Sequence, residues 1–446
     1  MQQDEQAFRS CFFAPMRCFV FCALGLALGC GGDEHGLGDE ASGGSAADAG
    51  RDGAGAGANA GTRASAGTDG SAGTSGNPGT GASGGAGGAG GTAAGAGGTA
   101  AGAGGGSLVD GIWISVAEVQ MLPMSGPAWD QLEAQANADP GTPNLSDQDQ
   151  MNNVWVLAKA LVYARTGEES YRTEVRQNVM AAMETENAGR TLALGRELAA
   201  YVIGADLVGL DSAEDAVFRA WLMGVLQETL DGRTLISTHD DRPNNWGTHA
   251  GASRLAAAVY LTGSPDATEA EFGEQQLALA ADVFKGWLGD RATYDGFRYD
   301  ADLSWQADPA APVGINPVGA MAMDFSIDGA QPEEMRRGCS FMLPPCPTGY
   351  PWGGLEGGVV QAEILARRGL DAWGWEDRAL LRAVEFLIRI DADFGGWYAE
   401  GDDEWQPWLV NHAYGTTFPT ALPAREGKNM GWTDWTHDPA TRPRTY

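Results

Sequence analysis

The segment Met151–Thr166 reads MNNVWVLAKALVYART, and its apolar residues recur three or four positions apart. Val154, Leu157, Leu161 and Ala164 follow this spacing. Such a period places apolar side chains on one face of an α-helix. The segment therefore predicts a helix over 151–166.

Similar periodicity recurs in further segments that are separated by Gly, Pro and Asp. These segments predict helices over 168–183, 192–207, 213–230, 245–261, 272–288, 357–368 and 376–390. Strand-like alternation is nearly absent, so the fold class is expected to be all-α. Because short connections favour antiparallel neighbours, we expect an α/α toroid of six or seven helical hairpins. Its inner helices would line a bowl, and its rim loops would form a cleft.

The sequence before this region has a different composition. Residues 31–107 are almost entirely Gly, Ala, Ser, Thr and Asp, without any aromatic residue. Such a stretch buries too little apolar surface to offset the entropy of ordering its backbone. We expect a disordered linker over 31–107 and one folded domain over 108–446. A flexible linker of this length has a reach on the order of 50 Å, which suits a tether.

Residues 1–30 are predicted to be an export signal. The apolar run Cys18–Leu28 is too short for a transmembrane helix, which needs ~20 apolar residues. The run ends in Leu26–Cys30 (LALGC), which resembles a bacterial lipobox, so Cys30 is expected to carry a lipid. Met16 is an alternative start. The signal predicts an outer-membrane or cell-surface lipoprotein, or a periplasmic or secreted protein if no lipid is attached.

Cysteine usage and charge limit the partners. Only Cys339 and Cys346 lie outside the leader, and an oxidising compartment permits a disulfide between them. No Cys/His spacing resembles a zinc site, and no metal or cofactor is expected. The formal net charge of -31 argues against nucleic acid. An acidic substrate stays possible, because screening over about 8 Å lets a local cluster of basic residues dominate. Membrane contact is expected only through the lipid.

The most distinctive polar motif is Arg242–His249 (RPNNWGTH). Asn is a good helix N-cap, so Asn244 is either a cap or a substrate ligand. Asn245 and His249 lie four residues apart and share one helix face. Exposed aromatic rings are good platforms for sugar rings, although a Trp is often part of the core. The candidate substrate-binding residues are Asn244, Trp246, Trp305, Gln306 and Trp352.

Over about 111–437 the chain resembles the alginate lyase superfamily of toroidal polysaccharide lyases. The resemblance rests on 115–129, Asn244–Thr248 (NNWGT), Asp302–Gln306 (DLSWQ) and Gly427–Trp432 (GKNMGW). It is closest to the alginate and glucuronan lyases with an Asn-Asn-Trp-Gly motif. Better-known members have Asn-Asn-His and a Tyr roughly fifty residues later. Here Trp246 occupies the position of that His.

The resemblance implies β-elimination in an acidic, uronate-containing polysaccharide. An amide or guanidinium that binds the uronate carboxylate stabilises the charge that develops when the C5 proton leaves. Asn245 and Arg298 are the candidates for this role. His249 or a Tyr would be the base, and Tyr299, fifty residues beyond His249, would protonate the leaving O4. The alternatives for base and acid are Tyr294, His239, His412 and Tyr414.

Two other functions remain open from the sequence. An inverting glycoside hydrolase on the same toroid would need two carboxylates roughly 6.5–9.5 Å apart. The candidates are Asp302, Glu356, Asp402, Asp403 and Glu404. The third possibility is a non-catalytic surface lipoprotein that binds glycan through its Trp residues.

Overall fold

The computed structural model describes residues 111–442, and these residues are mostly helical. The helices are α1 Val116–Val119, α2 Pro127–Ala136, α3 Asn152–Thr166, α4 Glu169–Ala182, α5 Thr191–Val208, α6 Ser212–Val225, α7 Leu235–Asp241, α8 Asn245–Thr262, α9 Ala267–Leu288, α10 Pro332–Met335, α11 Tyr350–Arg367, α12 Trp375–Phe394, α13 Gln406–Tyr414 and α14 Thr433–Thr436. The strands β1 Met321–Ala322 and β2 Phe325–Ser326 pair antiparallel. The all-α prediction is confirmed.

The predicted helices correspond to α3, α4, α5, α6, α8, α9, α11 and α12. Several ends differ from the prediction. The helix α9 begins at Ala267 because the Asp266 side chain accepts from the backbone nitrogens of Thr268 and Glu269, at 2.8 and 3.1 Å. The helix α6 ends at Val225 rather than at residue 230. The predicted signal peptide, the linker and Cys30 lie outside the described residues.

The helices form two layers. The helices α3, α5, α8 and α11 are buried along nearly their whole length, and each packs against the next. Residues 250–261 of α8 (AGASRLAAAVYL) are mostly small or apolar, and the charged Arg254 among them is buried, as expected for a helix with neighbours on every side. The helices α4, α6, α9 and α12 instead bury one face. We refer to the two sets as inner and outer helices.

Glycines allow the inner helices to approach closely. A Cβ on Gly357 of α11 would lie 2.3 Å from the carbonyl carbon of Thr248 and 2.5 Å from the nitrogen of His249. A Cβ on Gly195 of α5 would lie 2.9 Å from the nitrogen of Ala250. Both helices therefore contact α8 at the same level. Their N-terminal halves lie side by side, and polar residues near these helix starts are brought together.

The two ends of the described chain meet at Glu118. Its carboxylate accepts from Arg367 Nη2 at 2.8 Å and from Arg442 Nη2 at 2.7 Å. Burial alone raises the pKa of Glu118, but the hydrogen bond from Arg367 and the charge of Arg442 lower it to about 2. These contacts fix both ends of the domain to α11. Within 111–442, no helix has the length and apolar character needed to cross a membrane.

Candidate functional site

The start of α8 holds an amide, a guanidinium and a carboxyl group. Asn244 is the N-cap, since its Oδ1 accepts from the Trp246 nitrogen at 3.1 Å. Asn244 therefore caps the helix, and its role as a substrate ligand stays a prediction. Asn245 is buried, and its backbone nitrogen donates to Glu334 Oε1. The Asn245 Oδ1 accepts from Arg337 Nη1 at 2.8 Å.

Arg337 also contacts a tyrosine at the start of α11. The Cζ atom of Arg337 lies 3.4 Å from the centroid of the Tyr350 ring, within the range of a cation–π contact. The Arg337 side chain is 20% exposed, so solvent can reach it. Asn245, Arg337 and Tyr350 thus place an amide, a guanidinium and a phenol together where α8 and α11 begin. We call these three residues the Asn–Arg–Tyr cluster.

Glu334 lies behind this cluster. Its side chain is 1% exposed, and its Oε2 lies 3.5 Å from Arg337 Nη1. Burial raises the pKa of Glu334 to about 7, although the positive charge of Arg337 opposes the shift. The charge next to Arg337 therefore changes close to neutral pH.

The predicted base His249 is inside the protein. Its side chain is 0% exposed, and its Nε2 lies 3.3 Å from Glu356 Oε2. Burial lowers the pKa of His249, against the opposing effect of Glu356. A polymer cannot reach an imidazole in this position. The prediction of His249 as the base is not supported, because the close packing of α8 and α11 encloses it.

The predicted Arg298 and Tyr299 are neighbours in sequence but differ in exposure to solvent. Arg298 is 79% exposed, and its Nε lies 3.5 Å from Asp241 Oδ2. The guanidinium bonded to Asn245 belongs to Arg337 instead. Tyr299 is half-buried, and burial followed by the charge of Glu333 raises its pKa. Since the Asp300 nitrogen donates to Glu333 Oε1 at 3.1 Å, Tyr299 lies near the α10 helix that carries Glu334.

The alternative bases and acids occupy structural positions. Tyr294 donates its hydroxyl to the Asp240 carbonyl. His239 is buried, with Nδ1 3.3 Å from Arg254 Nη1, and burial holds its pKa well below the ordinary value. His412 is also buried, with its ring 5.2 Å from that of His437. Tyr414 donates to the Trp373 carbonyl at 2.7 Å. Nothing places these four side chains at the Asn–Arg–Tyr cluster.

Most of the predicted sugar platforms are part of the interior. Trp305 is buried and donates Nε1 to the Cys339 carbonyl at 3.0 Å. Trp352 is buried and donates to the Trp397 carbonyl at 2.9 Å. Gln306 is buried too, with both amide atoms bonded to Val313. These three side chains pack in the interior, and their role in substrate binding stays a prediction. Trp246 is only half-buried, under the guanidinium of Arg242 at 5.1 Å, and stays a candidate.

A pair of carboxyl groups lies near His249. Burial, and then the neighbouring Glu356 carboxylate, raises the pKa of Asp403 well above its ordinary value. Gln406 Nε2 donates to Asp403 Oδ1 at 2.9 Å. The other three acids have separate partners. Asp302 accepts from Ser304 and Ser340, Asp402 pairs with Arg425 and Lys428, and Glu404 accepts from the backbone of Gly401 and Arg425.

Sequence reasoning missed Glu334, Arg337 and Tyr350. The available signal was the predicted disulfide. The predicted Cys339–Cys346 disulfide is present, with Cα atoms 5.8 Å apart. Arg337 lies two residues before it and Tyr350 four residues after it, so a closed loop already implied that the two are close.

Comparison of the chain with protein-family models, curated proteins and solved structures found no match. Within 111–442, no group of three or more His, Cys, Asp or Glu side chains is arranged to hold a metal ion.

Proposed function

We propose that the domain is a polysaccharide lyase that cleaves a uronate-containing polymer, alginate or glucuronan, by β-elimination. One observation carries the proposal: Arg337 Nη1 donates a hydrogen bond to Asn245 Oδ1 at 2.8 Å, and the Tyr350 ring lies against the same guanidinium. The C5 proton of a uronate becomes removable when the adjacent carboxylate is neutralised. An amide and a guanidinium held together are suited to bind that carboxylate.

The roles follow from the chemistry of each group. Arg337 and Asn245 bind the carboxylate and stabilise the enolate-like charge that forms on it. The step requires Tyr350 in its deprotonated form, whose oxygen takes the C5 proton while the C4–O4 bond breaks and a C4–C5 double bond forms. The Tyr350 hydroxyl then passes the proton to the departing O4, which restores the phenolate. Glu334 contacts both Asn245 and Arg337 and holds them in place. Tyr299 lies near α10, which carries Glu334, and is the alternative acid.

The two helical layers support a toroidal architecture. An inner series α3, α5, α8 and α11, each packed on the next and backed by outer helices, is the arrangement from which an α/α toroid is built. The N-terminal ends of the inner helices would then form the bowl that receives the polymer.

We also propose export with a lipid anchor at Cys30. The Cys339–Cys346 disulfide fits an oxidising compartment.

The reaction is tested by product chemistry. The full chain is incubated separately with polyglucuronate, polymannuronate and polyguluronate, while ultraviolet absorbance and new reducing ends are followed together. Elimination gives both signals in equal number, because each cleavage leaves one C4–C5 double bond. Polymer that stays intact with all three substrates refutes the lyase, and binding without cleavage indicates the glycan-binding alternative.

The Glu356–Asp403 pair favours a second candidate function, an inverting glycoside hydrolase. Burial and the neighbouring Glu356 carboxylate raise the pKa of Asp403, and a carboxyl that stays protonated beside a second carboxyl is suited to act as a general acid. The same assay decides, because hydrolysis yields reducing ends without ultraviolet absorbance. Asp403→Asn would then abolish cleavage, whereas Arg337→Ala would leave most of it.

A further inference from the structure

The disulfide loop connects the two partly exposed members of the Asn–Arg–Tyr cluster. Cys339 and Cys346 are seven residues apart in sequence. Arg337 lies on the N-terminal side of the loop and Tyr350 on the C-terminal side, and they meet at 3.4 Å. The chain on both sides of the bond is also tightly packed. A Cβ on Gly338 would lie 2.6 Å from the Cys346 carbonyl oxygen.

The segment Asp302–Trp305 anchors this loop. Asp302 Oδ2 accepts from Ser340 Oγ at 2.8 Å, and Ser304 Oγ accepts from the Phe341 nitrogen at 2.8 Å. Trp305 donates to the Cys339 carbonyl at 3.0 Å, and its ring centroid lies 4.8 Å from that of Phe341. This motif therefore holds the disulfide loop in place. The anchors all contact the N-terminal part of the loop, 339–341.

We infer that the Cys339–Cys346 disulfide is a positioning element of the site, which holds Arg337 against Tyr350. The inference rests on the proposed lyase function for its effect on activity. The anchors at 302–305 fix the Arg337 side of the loop, and the disulfide transmits that position to the Tyr350 side. Without the S–S bond, the start of α11 keeps the hydrogen bond from Gln331 Nε2 to the Pro351 carbonyl, at 2.8 Å, but loses its covalent link to the anchored Cys339. Displacement of a catalytic group by about 1 Å is enough to cost on the order of 10²-fold in rate.

The test removes the bond in two ways. A dithiol such as dithiothreitol breaks the S–S bond by two exchanges, so that each cysteine gains one proton and the reagent becomes a cyclic disulfide. The variant C339S/C346S removes the bond permanently. We expect either change to lower kcat/KM about 10- to 100-fold, with most of the loss in kcat. Reoxidation should restore the wild type, and dithiothreitol should have no effect on C339S/C346S.

A double-mutant cycle separates positioning from general stability. In an Arg337→Lys background the contact with Tyr350 is already weakened. Removal of the disulfide should therefore lower kcat/KM by less than a further threefold. If the fold-losses in kcat/KM from Arg337→Lys and from removal of the disulfide simply multiply, the inference is overturned, because a disulfide that only stabilises the fold acts independently of Arg337. An unchanged kcat/KM in C339S/C346S would overturn it as well.

Hydrogen–deuterium exchange provides a readout without activity. Reduction should raise exchange in peptides that cover 336–352, with α8 unchanged. If the oxidised wild type gives no unsaturated product, the proposed function is wrong, and the exchange pattern alone decides the positioning inference. Exchange that is unchanged over 336–352 overturns the inference even if the lyase is active.

Discussion

At the scale of single residues, Arg337 and Arg298 provide a matched comparison. Arg337 donates a hydrogen bond to Asn245 at 2.8 Å, whereas Arg298 is 79% exposed and lies beside Asp241. Arg337→Ala should lower kcat/KM on the preferred uronate polymer by at least about 10²-fold, since a preorganised donor to developing charge is lost. Arg298→Ala should cost less than about threefold, the scale of an exposed charge. The initial rate of absorbance increase measures both, and the reverse order would return the role to Arg298.

Glu334 gives the site a pH dependence with a defined sign. Its pKa is raised to about 7 by burial, so the carboxyl becomes charged as the pH rises through neutrality. The new negative charge, 3.5 Å from Arg337, competes with the substrate carboxylate. KM should therefore rise roughly fivefold between pH 6 and 8. This rise corresponds to about 1 kcal/mol, the scale of an ion pair that involves the partly exposed Arg337. Glu334→Gln should flatten this rise, and Asp434→Asn, a buried carboxyl on α14, should not.

At the scale of elements, the contact between α8 and α11 depends on a glycine. A Cβ at Gly357 would lie 2.3 Å from the Thr248 carbonyl carbon, whereas a Cβ at Gly353 of the same helix meets nothing within 4 Å. Gly357→Ala should destabilise the domain by about 1–3 kcal/mol, the cost of overpacking. Gly353→Ala should be neutral or stabilising by up to about 1 kcal/mol, through helix propensity. Urea denaturation of the two variants checks this, and equal stabilities would mean that the helices separate freely.

The elements were also the part of the fold that the sequence could predict. The bounds of long helices such as α3 and α5 fall within one residue of expectation, because their long apolar runs end at the glycines Gly167 and Gly209. The helix α7, seven residues long, is too short to show a period. Arg337 and Tyr350 flank an irregular segment, where position depends on distant anchors such as Trp305. Their meeting at Asn245 is a tertiary effect that local periodicity does not contain.

At the scale of the whole molecule, buried carboxyls govern how stability changes above neutral pH. Glu197 of α5 is 0% exposed, and neither carboxyl oxygen has a hydrogen-bond partner within the described residues. Burial raises its pKa well above the ordinary value, and burial also raises those of Glu334, to about 7, and Asp403. The folded domain therefore binds protons that the unfolded chain has already released. Stability contributed by these groups is full below the unfolded pKa and is lost as the pH rises through the folded one.

Buried histidines act in the opposite direction at lower pH. Burial lowers the pKa of His239 and of His249, so protonation favours the unfolded chain as the pH falls below about 6.5. The carboxyl effect is therefore clearest between pH 7 and 8.5. There the free energy of unfolding should fall by up to about 1.4 kcal/mol per pH unit for each proton that the folded state alone retains. Glu197→Gln keeps the shape of the side chain but cannot ionise, so it should remove one such proton and reduce the slope. Urea denaturation at several pH values measures this, and a slope identical to that of the wild type would show that Glu197 is ionised in the folded domain.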